Sequence, residues 1–213
     1  MRDTIIVGRR AVLAGGLATL ATGALAQSRP LILTPGQALG PFYPIRFPAD
    51  SDNDLVRVTG RAAQAMGRVT NLTGRILDRQ GRPIPQAAVE IWQCDAQGIY
   101  RHPRAADQAL FDDAFQGYGR TLADRAGAYR FRTIRPVPYP GRTPHIHVAV
   151  QVPHRGLRFV TQMYVAGEPL NAPDGLLQSV RDRAARESLI VPLKAGSGEP
   201  GSLEGTFDIV LDV

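Results

Sequence analysis

The chain has 213 residues, enough for one domain with a self-sufficient core, and its 25 basic against 19 acidic residues leave a formal charge of +6. Lys194 is the only lysine and the arginines are scattered, so the charge reads as a solvated surface rather than a nucleic-acid footprint. The single cysteine, Cys94, excludes an intrachain disulfide.

In residues 1–26, Arg9 and Arg10 precede the apolar run AVLAGGLATLATGALA, which closes on Ala24-Leu25-Ala26. A charged start, a short apolar middle and a small-x-small end predict a signal peptide of the twin-arginine type. The expectation is cleavage near Ala26, a periplasmic or secreted product, and no stable membrane anchor afterwards. Residues 27–67 carry Pro30, Pro35, Gly36, the phrase GPFYP and the acidic positions Asp50, Asp52 and Asp54. Proline at this density forbids central-strand pairing, which predicts an extended arm wrapping the domain.

From residue 68 to 213 the pattern becomes β. VTNLTGRIL leads through Asp78-Arg79-Gln80-Gly81 into PIPQAAVEIWQ, where Val89 and Ile91 alternate with Glu90 and Trp92. Asp at the first and Gly at the fourth position suit a tight turn between strands. The phrase returns as GRTLADRAG before AYRFRTI. HIHVAVQV, LRFVTQMYV and TFDIVLD alternate in the same way, and helical spacing is confined to Asp174–Leu189, with Leu177, Val180 and Ala184 on one side. Short strands with turn signals predict a mainly β fold, an antiparallel β-sandwich with long loops, the N-terminal arm and one short helix.

His145 and His147 lie two apart on a strand, so both imidazoles face one side. Such a pair serves equally as two metal ligands or as a half-buried polar decoration. Tyr100 follows the strand ending at Trp92, and Tyr139 sits in PVPYPGR just before the histidines. A strongly acidic metal ion can take a phenolate as a hard anionic ligand, so two phenolates with two neutral imidazoles suit ferric iron. Zinc more naturally recruits Cys, His or carboxylate, and copper or ferrous sites more often show three His or two His with a carboxylate, the last disfavoured because no acidic residue adjoins the HIH. His102 and His154 read as surface residues.

WQCDAQGIYRHP, FQGYGRTLADRAGAYRFRTIRPVPYP, RTPHIH and TQMY, in this order, resemble the intradiol ring-cleavage dioxygenases of the protocatechuate type, over roughly residues 36–212. The resemblance implies one Fe(III) per chain, with Tyr100, Tyr139, His145 and His147 as ligands. It implies a catecholic substrate and O2, ring opening to a cis,cis-muconate-type diacid, and Tyr139 as acceptor of substrate protons. Arg142 would stabilise the negative charge that develops on the ring oxygens, and Gln162 would donate to oxygen derived from O2. Trp92, Tyr164 and Tyr43 would border the substrate. Where protocatechuate enzymes carry a Trp two residues after the second tyrosine, this chain has Gly141, so a wider pocket is expected there. With one chain type the simplest assembly is a homo-oligomer. LTGRILDRQGRPIPQAAVEIW also resembles transthyretin-like and carboxypeptidase regulatory-like sandwiches, which keeps a non-enzymatic binding module open beside a zinc hydrolase.

Overall fold

The computed structural model describes Met1 and residues 31–156 and 158–213, so the expected signal peptide lies outside the described residues. Two five-stranded sheets pack face to face. The first is built on β1 (Val69–Asp78), flanked by β4 (Ala128–Ile134) on one side and by β9 (Leu203–Thr206) and β10 (Ile209–Leu211) on the other, with β8 (Lys194–Ala195) beyond β9. The second runs β3 (Tyr118–Leu122), β2 (Ala88–Trp92), β5 (His145–Gln151), β6 (Arg158–Val165), β7 (Ile190–Val191). Antiparallel pairing dominates, but β9 and β10 run parallel to β1, and β7 parallel to β6.

The stretch read as one terminal strand, 206–212, is thus divided. Phe207 and Asp208 leave the ladder, and the Asp208 carboxylate accepts from Arg75 N at 2.8 Å. The helical stretch is divided too, into α1 (Gly175–Gln178) and α2 (Arg183–Ser188). Each piece has its own aspartate cap: Asp174 accepts from Leu176 N and Leu177 N, and Asp182 from Ala185 N. Two caps eight residues apart write two starts, which the apolar spacing alone conceals.

The inward positions of both sheets, including Leu72, Ile76, Val89, Ile91, Ile146, Val148 and Met163, make the main core. Period-two alternation therefore puts His145, His147, Trp92, Gln162 and Tyr164 on the outer face of the second sheet. Register then places them side by side: Trp92 pairs with His147, His147 with Gln162, and His145 with Tyr164.

The arm covers that outer face. Gln37 N donates to Val160 O at 2.8 Å, Phe42 stacks on Tyr100 at 4.5 Å, Tyr43 meets Trp92 edge-on at 5.0 Å, and Phe47 reaches Tyr118 at 4.9 Å. Among the described residues no helix is long and apolar enough to cross a membrane.

Candidate metal centre

One turn chemistry, used three times, sets up the site. In Asp78–Gly81 and Asp124–Gly127 the aspartate Oδ1 accepts two backbone N–H groups, and the glycine N–H closes on the aspartate carbonyl. Asp95-Ala96-Gln97-Gly98 does the same, with Oδ1 taking Gln97 N and Ile99 N. This third copy was legible as D-x-x-G, but only the other two stood out beside strand patterns. It delivers Tyr100. A Cβ on Gly98 would lie 3.2 Å from Pro138 O and 3.5 Å from Tyr139 Cβ, so glycine lets the two tyrosine loops close up.

The rings of Tyr100 and Tyr139 lie 5.5 Å apart and nearly perpendicular, and Tyr139 is also 5.5 Å from His145. His145 and His147 are buried, with their Nε2 atoms 3.2 Å apart. His145 Nδ1 faces Thr143 O at 2.7 Å, which requires the proton on Nδ1 and leaves Nε2 as a lone pair. Burial, helped by Arg142, pushes the His145 imidazolium down to about 4, and His147 is held well below its ordinary value by burial and by His145. Both are neutral bases at neutral pH. The Tyr100 hydroxyl is buried and has no hydrogen-bond partner among the described residues, and burial raises its pKa well above the ordinary phenol. Tyr139 is raised by burial as well, against the pull of Arg142.

These atoms fit a hard trivalent cation. Two nitrogens 3.2 Å apart can share one ion at about 2 Å each, and the buried phenol beside them has the chemistry of a third, anionic ligand. Among the described residues no three of His, Cys, Asp and Glu come together, so a zinc site of the usual composition lacks its third ligand.

Arg142 organises the other half. Its Nε donates to Asp174 Oδ2 at 2.9 Å and one terminal nitrogen donates to Gln162 Oε1 at 2.6 Å. The other terminal nitrogen lies 3.5 Å from Tyr139 Oη and 3.4 Å from His145 Nε2. Tyr164 Oη donates to Gln37 Oε1 at 3.0 Å and sits 3.2 Å from Gln162 Oε1. Trp92 stacks flat on His147 at 4.8 Å and 8°.

Eight of the nine expected residues thus converge. Tyr43 is near but turned aside: its hydroxyl donates to Glu90 Oε2 at 2.9 Å, and Arg158 lies over its ring at 4.2 Å. That pins the arm to β2. Gly141, at φ +81°, has no neighbour among the described residues within 4 Å of where a Cβ would stand, so the rim there is open. His102 is not a surface residue. It is 2 % exposed, its Nδ1 accepts from Arg104 N at 3.1 Å, and Phe42 packs edge-on against it; His154 is exposed. Sequence reasoning gave no site role to Asp174, Phe42 or Gly40. A Cβ on Gly40 would stand 3.0 Å from His147 Cε1.

A family profile described as Dioxygenase matches residues 39–213, which defines an oxidoreductase of the dioxygenase class. The chain belongs to the intradiol ring-cleavage dioxygenase family. It is 39% identical over 168 residues to the protocatechuate 3,4-dioxygenase beta chain of Burkholderia cepacia, covering 75% of this chain and 71% of that one. A hydroxyquinol 1,2-dioxygenase of Corynebacterium glutamicum is 33% identical, over 70% of this chain and 56% of its own length. A catechol 1,2-dioxygenase of Acinetobacter baylyi is 32% identical, over 68% of this chain and 52% of its own. This chain therefore spans little more than half of those two relatives. Among solved structures, the dioxygenase domain of a dioxygenase carbohydrate-binding fusion from a Streptomyces species superimposes with a TM-score of 0.66 at 31% identity, covering 85% of this chain and 99% of that one.

Proposed function

We propose that this protein is a non-haem Fe(III) intradiol dioxygenase that opens a protocatechuate-like catechol between its two hydroxyl-bearing carbons, placing both atoms of O2 in a cis,cis-muconate-type diacid. The observation that carries the reading is the convergence of two neutral imidazoles, Nε2 to Nε2 at 3.2 Å, with a buried, partnerless Tyr100 hydroxyl and with Tyr139. His145, His147, Tyr100 and Tyr139 would hold one ferric ion per chain, which supplies the Lewis acidity that binds an ortho-diphenol and activates its ring towards O2.

The chain's own groups do the rest. Tyr139 Oη, half-buried at the open side, is the base placed to take a substrate proton, and the nearby Arg142 guanidinium favours its charged form. Arg142 presents fixed donors to negative charge developing on the substrate oxygens. The carbonyl of Gln162 is held by Arg142, so its amide nitrogen, 3.5 Å from Ala38 O, is the edge left to donate to oxygen. Trp92 fixes the plane of His147, Tyr164 backs Gln162, and Phe42 with the arm keeps bulk water from Tyr100. Similarity to protocatechuate, hydroxyquinol and catechol enzymes supports the substrate class. The open rim at Gly141 favours a ring that carries a substituent.

The test is to load purified protein with ferric ion, then measure iron content, visible absorption and oxygen uptake with catechol, protocatechuate, hydroxyquinol and gallate. The expected result is one iron per chain, tyrosinate-to-iron colour, and stoichiometric uptake with a muconate-type product. Protein that stays colourless and inert after loading overturns the assignment.

A further inference from the structure

Arg142 is a long, flexible cation whose usefulness depends on which edge of its guanidinium faces the site. Its Nε is committed to Asp174 Oδ2 at 2.9 Å, and that choice fixes the roll of the plane. One terminal nitrogen is then aimed at Tyr139 Oη and His145 Nε2, and the other at Gln162 Oε1 and Tyr164 Oη. The anchor is itself immobile. Asp174 is 2 % exposed, and its two oxygens take four donors: Oδ1 accepts Leu176 N at 3.1 Å and Leu177 N at 2.9 Å, while Oδ2 accepts Arg142 Nε and Thr143 N at 3.1 Å. The loop that carries it is tied to the same turn, because Thr143 Oγ1 donates to Asn171 Oδ1 at 2.7 Å and Asn171 Nδ2 donates to Val165 O at 2.8 Å.

We propose that Asp174, 32 residues from Arg142 and touching none of the four candidate ligands, is the positioning residue for Arg142: a rigid carboxylate that sets which guanidinium N–H groups point into the site. The inference rests on the proposed role of Arg142, but its geometric content stands apart from the iron. Without the anchor the fork keeps its charge and loses its direction, and misplacement by about 1 Å costs on the order of a hundredfold in rate. A mere helix cap has no such effect on Arg142.

Asp174→Asn separates the two roles. An amide still accepts from Leu176 N and Leu177 N, so the cap survives, while its NH2 meets Arg142 Nε–H and Thr143 N–H as donor against donor. Asp174→Ser, also a capping residue, is the substitute should Asp174→Asn not fold. In a crystal structure of metal-free Asp174→Asn the guanidinium is expected to have left Tyr139 Oη and Gln162 Oε1; a guanidinium in its original place overturns the proposal. In ferric-loaded protein the variant is expected to keep the iron content of the parent and lose ten- to hundredfold in kcat with little change in KM. Its visible band should shift as that of Arg142→Gln does, and Asp174→Asn added to Arg142→Gln should cost nothing further. A full additional loss in the double variant overturns the proposal, because Asp174 would then act otherwise than through Arg142. If the parent protein fails to take up ferric ion, the iron reading fails while the metal-free crystal structure still decides the positioning claim.

Discussion

Gly40→Ala tests the arm as part of the site. Gly40 has φ +77°, and its missing Cβ would stand 3.0 Å from His147 Cε1. Two costs follow. A left-handed L-residue costs about 1–2 kcal/mol, and carbon atoms that prefer about 3.5–4.0 Å must separate by roughly half an ångström or more. His147 is stacked on Trp92, so its ring cannot tilt without moving Nε2; the arm cannot simply lift, because Gln37 N is bonded to Val160 O and Tyr43 to Glu90. Gly60, at φ +82° with nothing within 4 Å, supplies the control: Gly60→Ala bears the backbone cost without the contact. Both variants should melt lower by about 2–4 °C per kcal/mol lost. Gly40→Ala alone should hold iron less tightly and lose ten- to hundredfold in kcat/KM. Iron titration, thermal melts and oxygen-electrode kinetics on the pair decide it. Equal iron affinity and equal kcat/KM in the two variants would refute the close packing of arm on ligand.

Tyr100→Phe should act in opposite directions on stability and function: deleting a buried, unpartnered hydroxyl stabilises the metal-free protein by about 1 kcal/mol, while ferric binding and colour are lost, as denaturant melts and visible spectra would report. Burial tends to raise the Asp174 carboxyl, but the Leu177 N–H and Arg142 outweigh it and hold the pKa below the ordinary value. A lowered folded pKa stabilises above the unfolded pKa, near 3.9, and that stability is lost as pH falls through the folded value. Melts of the parent should therefore drop more steeply than those of Asp174→Asn below about pH 4. Replacing Arg9 and Arg10 by lysines should abolish export, and N-terminal sequencing of the exported form should begin near Gln27; cytoplasmic retention of the unaltered chain would refute the signal assignment.

The parts of this site that follow the two-residue period of a strand were legible in the sequence. His145 and His147 share a face because strand geometry requires it, and so do Gln162 and Tyr164, but the register that sets the second pair beside the first belongs to the β5–β6 pairing and is not written in either strand. Tyr100 and Tyr139 lie on loops, where no strand period reaches; their chemistry made them candidates and their resemblance to family motifs joined them to the histidines. The rest depends on pairings at long sequence separation. Nothing local in Asp174 tells that it will hold Arg142, and nothing in GPFYP fixes which ring each aromatic of the arm will meet. His102 read as exposed because a loop histidine before Pro103 carries no periodicity; its burial comes from Phe42, 60 residues earlier. The two-helix outcome was written in Asp174 and Asp182, but capping aspartates look like ordinary surface charge until the chain turns.

The arm has a consequence for how the protein assembles. Gln37 meets Tyr164 across 127 residues of sequence, so this closure adds no local contacts and bears the entropy of a very long loop. The sheets carry their own core and can form first, leaving the face with Trp92, His147 and Gln162 bare until the strap of residues 37–43 settles over it. Hydrogen exchange at Gln37 is therefore expected to outpace exchange in β5. A cut in the arm is expected to leave the sandwich folded, with Trp92, His147 and Gln162 uncovered.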